Sequence, residues 1–434
     1  MMPAVRTRVP RALLALPLLA VPASLAASGF AIESQGARAM GLAGAYVAQA
    51  SDPSAIYFNA AGIAFLGEKQ LYVGGGFASL STDFVGAGPT PPEGTLETSS
   101  QGLGVLPAAY YSQQVGERTA IGIGVNLPFG NRSQWDDPDG FTGRYICLDC
   151  RIRSWGINPT IAYKLADRLA VGAGVDLRFS SFRLSRRLIA DPNPFPDPTD
   201  VAELRFESGT ELGVGFNLGL LARPSDTISI GLAYRHKVTM DHGSEASFVQ
   251  IPTGNQAVDD AVAAALPPDQ PATATFAYPG TIAAGIAWRD GDWTIEGDVA
   301  WTLWSSFDRV SVRTADAPAY DTSLTQEWES TWRGALGVER LIGDRWEVRA
   351  GYGYDHSPAP TDTISPFIHD ADRHAFGAGG TWKRRTRSGS VHVDFFARYL
   401  FFRTSSTLGL SRYGYDGSYD TSGFQLGASI GYRF

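Results

Sequence analysis

From residue 424 to residue 434 the chain alternates without a break. Phe424, Leu426, Ala428, Ile430, Tyr432 and Phe434 share one face, and Gln425, Gly427, Ser429, Gly431 and Arg433 share the other. Successive side chains of a strand point to opposite faces, so this strand has one apolar face and one polar or small face. The same period recurs upstream. Ile121, Ile123, Val125 and Leu127 oppose Gly122, Gly124 and Asn126, and Leu169, Val171, Ala173, Val175, Leu177 and Phe179 oppose Gly172, Gly174, Asp176 and Arg178. Trp293, Ile295, Val299 and Trp301 oppose Glu296 and Asp298, and Trp346, Val348, Ala350, Tyr352 and Tyr354 oppose Glu347, Arg349 and Asp355. Charges keep to one side throughout. A charge on a lipid-facing position costs about 2–4 kcal/mol at the bilayer midplane, and these strands avoid it.

About fourteen such strands are predicted, beginning near Leu71, Leu103, Arg118, Ile152, Arg168, Glu203, Thr227, Pro271, Trp293, Glu327, Arg345, Asp372, Val391 and Ser422. Short connections (115–117, 166–167, 224–226, 290–292, 343–344 and 383–389) alternate with long ones (83–102, 128–151, 184–202, 241–270, 310–326, 356–371 and 404–421). An even strand number with tight turns at one end and long loops at the other is the pattern of a bacterial outer-membrane β-barrel. Closure leaves no backbone edge in hydrocarbon. The expected fold is therefore an all-β, fourteen-stranded antiparallel barrel over residues 69–434. The strand ending at Phe434 is expected to be read by the barrel assembly machinery, and the surroundings are outer-membrane lipid and lipopolysaccharide. A secreted soluble β-protein would also alternate, but it accounts for neither the loop asymmetry nor the terminal aromatic.

The amino terminus fits export. Arg6, Arg8 and Arg11 form a basic region, residues 12–21 an apolar run, and Ser24-Leu25-Ala26 a small-residue cleavage site; residues 1–26 read as a signal peptide. The apolar run is too short to cross a membrane as a helix. Mean hydropathy is −0.09 because alternation cancels on averaging. Removing the three signal arginines takes the formal charge from −8 to −11, which disfavours nucleic acid. Two cysteines suit an oxidising envelope, and 49 glycines suit strands whose inner face must stay small. A monomer without cofactor is expected.

Residues 27–68 do not alternate. They are rich in small residues and precede the first strand, so they are expected to fold into the barrel as a plug rather than trail as a periplasmic tail. The run from Gly29-Phe30-Ala31-Ile32-Glu33 to Tyr46, followed by Asp52-Pro53 and Asn59-Ala60-Ala61-Gly62, resembles the amino-terminal hatch of the outer-membrane long-chain fatty acid transporter family, which also contains aromatic-hydrocarbon channels. Phe141-Thr142-Gly143-Arg144-Tyr145, residues 157–164, 301–307 and 349–355, and Asp370-Ala371-Asp372-Arg373-His374 continue the resemblance in the family's order. Ala60 stands where the family usually has proline, which loses a φ-locked position. The resemblance implies a hatch-plugged barrel that passively takes up long-chain fatty acids, or else monoaromatic hydrocarbons, and releases them sideways through its wall.

On that reading two outer loops form an apolar landing groove, with Leu188, Ile189 and Phe195 from one and Phe248, Val249, Val262 and Leu266 from the other. Pro107, which lacks a ladder donor, and Gly122 and Gly124 opposite it mark a candidate wall opening between the second and third strands. Pro159 in the fourth strand is a competitor. Phe30 is best suited to lie against a bound chain or ring, and Asn59 to tie the hatch to the wall. The lumen charges Asp176, Arg178, Glu296, Asp298, Arg333, Arg349, Asp394 and Arg398 are expected to pair across the interior, with an arginine available to a carboxylate. Cys147 and Cys150 have metal-like spacing but no second pair, so a small loop disulfide is expected and no metal. Asp370, Asp372 and His374 read as solvated or ion-paired. A lipid hydrolase would need a nucleophile paired with histidine, and no such motif stands in the chain. An open porin would lack the hatch.

Overall fold

The computed structural model describes residues 29–33, 35–100, 102–190 and 198–434. The predicted signal peptide lies outside them. Fourteen antiparallel strands form the wall: β1 (Gln70–Gly86), β2 (Gly104–Gln114), β3 (Thr119–Gln134), β4 (Asp149–Ala166), β5 (Leu169–Ile189), β6 (Glu211–Ala222) and β7 (Ile228–Arg235) make one half. The other half is β8 (Thr281–Asp290), β9 (Trp293–Thr302), β10 (Thr331–Ile342), β11 (Trp346–Asp355), β12 (Arg373–Thr386), β13 (Gly389–Phe402) and β14 (Gly417–Arg433). Each pairs with its neighbours in chain order, and β14 pairs with β1 from Gln70↔Arg433 to Gly86↔Gly417, so the sheet closes on itself. Outward residues such as Leu212, Val214 and Leu218 are exposed and apolar, while Gly213, Gly215 and Asn217 between them face inward. Short turns hold one end together. Gly291 and Gly343 sit at positive φ there, a conformation that tight hairpins require and that side chains resist.

Several predicted loops are longer strands than the sequence pattern suggested. β5 runs to Ile189 and pairs with Asp200–Glu207; Val238–Gln250 pairs with that segment and with Gln270–Tyr278. The described parts of the expected loops at 184–202 and 241–270 are thus largely a raised sheet above one side of the barrel. Only Gln256–Ala265 within the latter is helical, with none of its residues buried.

Residues 29–33 and 35–66 lie inside. Two short helices, α1 (Ala37–Gly41) and α2 (Ala55–Phe58), and a 3₁₀ turn, Ala60–Phe65, pack on the inner faces of the wall: α1 on β12 and β13, the 3₁₀ turn on β4, β5 and β6. Their burial is nearly complete, with Phe30, Met40, Leu42, Tyr46 and Ile56 all at 0 % exposure.

Candidate functional site

The inner segment approaches the wall backbone to backbone, which is where the small inner face matters. A Cβ on Gly219 would meet Asn59 Oδ1 at 2.3 Å, one on Gly172 the Ala60 carbonyl carbon at 2.4 Å, and one on Gly231 the Val47 oxygen at 2.2 Å. Asn59 fastens this seat. Its Nδ2 donates to the Val47 and Leu220 carbonyls, both at 3.0 Å, and its Oδ1 accepts from Ala61 N at 3.2 Å. Ala60 opens the 3₁₀ turn behind it, and Gly62 N returns a bond to the Asn59 carbonyl. Across the lumen, Asp298 accepts from Tyr46 N (2.6 Å) and Val47 N (2.9 Å), and Glu296 from Ala48 N (2.6 Å) and Gln49 N (3.1 Å). The expected pairing of Glu296 and Asp298 with lumen cations is therefore corrected: they hold four consecutive backbone N–H groups of the inner segment.

Other inward charges do pair with one another. Asp176 takes Arg178 (2.5 Å) and Arg235 (2.9 Å), and Arg349 reaches Glu339 (3.1 Å) and Asp394 (3.4 Å).

At the outer end of the inner segment, Phe30 fills an aromatic box. Its ring centroid lies 4.8–5.9 Å from those of Phe129, Tyr278, Trp304, Phe307 and Trp328. Phe30 thus occupies the apolar site instead of lining it. Three residues on, Glu33 is gripped by Arg333 (2.6 Å), Arg398 (2.7 Å) and Arg373 (3.5 Å). Asp355 shares Arg373 (2.6 Å) and Arg333 (3.2 Å), so three guanidinium groups face two carboxylates and one positive charge is in excess. Burial alone would raise the Glu33 carboxyl, but the charges of Arg333, Arg398 and Arg373 outweigh it and hold it at about 2. A cavity of about 130 Å³ adjoins, lined by Glu33, Val47, Asn59, Phe129, Asp298 and Arg333.

Glu33 and the box were not singled out in the sequence. The available signals were a lone carboxylate among small residues, and Trp301, Trp304 and Phe307 at a spacing of three, which breaks the strand period.

The wall is incomplete beside this site. β1 pairs with β2 from Ser112 up to Gly104, but β2 pairs with β3 only from Gln114↔Ala120 to Ala109↔Val125. Beyond that point β3 bulges between Asn126 and Phe129 and bonds to the inner segment instead: Ile32 N to the Pro128 carbonyl (2.8 Å), Gly130 N to the Phe30 carbonyl (2.9 Å), with an Ala31↔Phe129 bridge. Pro107 lies on the stretch of β2 left unpaired on that side. Gly122 and Gly124 do not. They sit in the intact ladder, where a Cβ on Gly122 would meet Ile56 of α2 at 2.7 Å and one on Gly124 the Tyr110 ring at 2.7 Å and Ile56 at 3.1 Å, so their smallness makes room for inward side chains and the inner segment and not for an opening. Pro159 interrupts only two positions between β4 and β5, the register resumes unchanged, and Asn158 Nδ2 covers the Val175 carbonyl at 2.6 Å.

The six described residues among the seven expected to form an outer groove are not brought together. Leu188, Ile189, Phe248 and Val249 lie on strands, where adjacent residues point to opposite sides. Leu188 and Phe248 pack against the aromatic cluster, whereas Ile189 and Val249 are exposed. Val262 lies on the exposed helix and Leu266 caps it; Phe195 lies outside the described residues. Cys147 and Cys150 are bonded to each other within the same cluster. Asp372 faces Tyr354 and His356, both at 2.8 Å. His374 Nδ1 lies 2.8 Å from the Tyr352 hydroxyl. Asp370 is buried, accepts from Ser357 Oγ at 2.8 Å and from Gly29 N, and burial pushes its carboxyl up to about 7.

A closed barrel with an apolar outer band, its lumen filled by its own chain and its wall broken beside an apolar site, is an outer-membrane transport channel for hydrophobic molecules and not an enzyme. The chain belongs to the family described as outer membrane protein transport protein (OMPP1/FadL/TodX), which it matches over residues 18–434. It is 26% identical over 390 residues to a putative outer membrane protein of Neisseria meningitidis serogroup B, covering 82% of this chain and 83% of that one. It is 24% identical over 317 residues to the long-chain fatty acid transport protein of Salmonella typhi, covering 68% and 70%. A Pseudomonas aeruginosa FadL homologue of known structure superposes with a TM-score of 0.81 at 22% identity, over 94% of this chain and all of that one. The Pseudomonas putida toluene transporter TodX gives 0.67 at 18% identity, over 93% and 98%.

Proposed function

We propose that the chain takes up long-chain fatty acids as a monomer, with residues 27–68 acting as a hatch that the arriving acid displaces, and with release sideways between β2 and β3. The observation that carries this reading is the chemistry of residues 30–33. An apolar ring seated among five aromatic rings, followed within about 10 Å of chain by a carboxylate on three arginines, has the layout of an amphipathic acid. The closed protein holds a piece of itself where such a ligand would lie. Arg333, Arg373 and Arg398 suit a carboxylate, since charge-assisted guanidinium bonds are strong and directional. An uncharged monoaromatic would use the aromatic box and leave the arginines idle. The name of the Salmonella typhi relative supports the same substrate class. Displacement of residues 30–33 also strips β3 of its substitute partner at 128–130, which couples occupancy of the site to the state of the wall break.

The test compares oleate with methyl oleate on purified protein. Glu33→Gln removes the competing charge, and oleate binding is expected to tighten about tenfold, the equivalent of one charge-assisted bond, while the ester does not change. Arg398→Gln is expected to weaken oleate alone. Identical responses of acid and ester in both variants would exclude the carboxylate role, and toluene binding without oleate binding would move the assignment to hydrocarbons.

A further inference from the structure

On the outer surface of the raised side, the cross-strand register sets like charges directly against each other. Arg132 of β3 faces Arg151 of β4, and Arg151 faces Arg183 of β5; Arg153 lies one outward position below Arg151. Like charges directly opposite destabilise a sheet unless something of opposite sign lies between them. The protein supplies little. Arg183 is well paired, with Asp149 at 2.9 Å and Glu207 at 2.5 Å, but Asp149 stands 3.9 Å from Arg151. Among the described residues no carboxylate lies within ion-pair distance of Arg132 or Arg153. Arg132 Nη2 donates to Gln134 Oε1, but the Nε atoms of Arg132, Arg151 and Arg153 are shielded from solvent and have no hydrogen-bond partner. Unpaired donors that water does not reach distinguish this row from an ordinary solvated face.

Its height on the barrel is informative. The outward residues of β4 below the row are Trp155, Ile157, Pro159, Ile161, Tyr163 and Leu165, and Trp155 stacks on outward Phe179 of β5 with centroids 4.1 Å apart. From Leu169 to Phe179 the strand spans about 33 Å, or about 25 Å along the membrane normal at a tilt near 40°, the height of the apolar band of such barrels. Trp155 and Phe179 therefore belong to the aromatic girdle at the outer interface. Arg153 stands about 5 Å above it and Arg183 about 10 Å above it by the same geometry. That is the level of the lipid headgroups.

We infer that Arg132, Arg151 and Arg153, beside Arg183, form a binding site for the phosphate groups of the outer leaflet's phosphorylated glycolipid, the lipid A portion of lipopolysaccharide. Guanidinium donors at headgroup depth match phosphate oxygens in geometry and sign, and a bridging phosphate removes the like-charge repulsion along the row. The site lies on the outside of the wall, apart from the transport path, so it stands whether or not the substrate assignment does.

The experiment uses the full mature protein in mild detergent, wild type and the triple variant Arg132→Gln/Arg151→Gln/Arg153→Gln. Each is checked for a heat-shifted gel band and analysed by native mass spectrometry after addition of bisphosphorylated lipid A, dephosphorylated lipid A or inorganic phosphate. Wild type is expected to retain bisphosphorylated lipid A at least tenfold better than the folded triple variant, and at least tenfold better than it retains the dephosphorylated form. Equal retention in either comparison overturns the inference, as does displacement of lipid A by millimolar inorganic phosphate, which would assign the row to free phosphate. Should the triple variant lose its heat-shifted band, Arg153→Gln alone replaces it, with a threefold loss expected and no loss counted as refutation.

Discussion

Replacing Phe30 with alanine separates two accounts of the lumen by the sign of its effect. If Phe30 were part of the wall that a ligand touches, truncation would weaken binding. The structure instead has it filling the box, fully buried, with five aromatic neighbours. Truncating a buried phenylalanine costs about 3–5 kcal/mol through lost transfer energy and the cavity left behind. In the displaced state Phe30 no longer occupies the box, so the cost falls on the closed state. The closed–open equilibrium then shifts by about two to three and a half orders of magnitude, on the order of tenfold for each 1.4 kcal/mol. Observed affinity rises until the competent state is fully populated, so a gain of about tenfold is the conservative expectation. Displacement of a fluorescent fatty acid by oleate, in detergent, measures it, with heat-shifted mobility as the check on folding. Unchanged or weaker oleate binding by folded Phe30→Ala protein would refute the idea that Phe30 stands in for ligand.

Other positions give independent expectations. Gly219→Val places a side chain on Asn59 and Ala60, and is expected to unseat the inner segment and raise single-channel conductance in planar bilayers, with the barrel still heat-modifiable. Ala60→Pro puts proline at the first position of a 3₁₀ turn behind an extended Asn59, so oleate uptake is expected to stay within about twofold of wild type and stability to rise by about 0.4–1 kcal/mol. Asp370 has a carboxyl raised in the folded state, so its contribution to stability is present at low pH and fades as pH climbs from the unfolded value near 4 through about 7. Between pH 6 and 8 that amounts to about 1.4 kcal/mol. His369, held near 4 by burial, works in the opposite sense below pH 6.5, so the quantity to measure is wild type minus Asp370→Asn in thermal unfolding, and a pH-independent difference would contradict the assignment.

The barrel was legible because a strand exposed to lipid on one face and to a packed lumen on the other carries its period in every pair of residues. Outward Leu212, Val214 and Leu218 and inward Gly213 and Asn217 show the rule. Pro107 falls on the stretch of β2 that β3 leaves unpaired, and its missing donor is visible in the sequence. Gly122 and Gly124 were misread because a glycine looks the same whether it weakens a ladder or makes room for Ile56. The partners of Glu296 and Asp298 could not be read at all, since the backbone N–H groups of residues 46–49 carry no residue-type signature. The groove failed on period: above the membrane both faces of a strand can be apolar, so Leu188 and Ile189 look equivalent in sequence although the sheet turns them apart.

The filled lumen also bears on what the cell risks by making this channel. A hydrated ion or a polar antibiotic needs a continuous path lined by groups free to replace its water, and along this interior many of the charged groups are already paired, as in the contacts of Asp176 with Arg178 and of Glu33 with Arg398. On the proposed sideways release, a solute that prefers aromatic surface to water has a reason to enter, and its exit lies in the bilayer plane, not the aqueous compartment below. On that reading, raising the copy number of such a protein is expected to admit more substrate without adding an aqueous pore to the envelope.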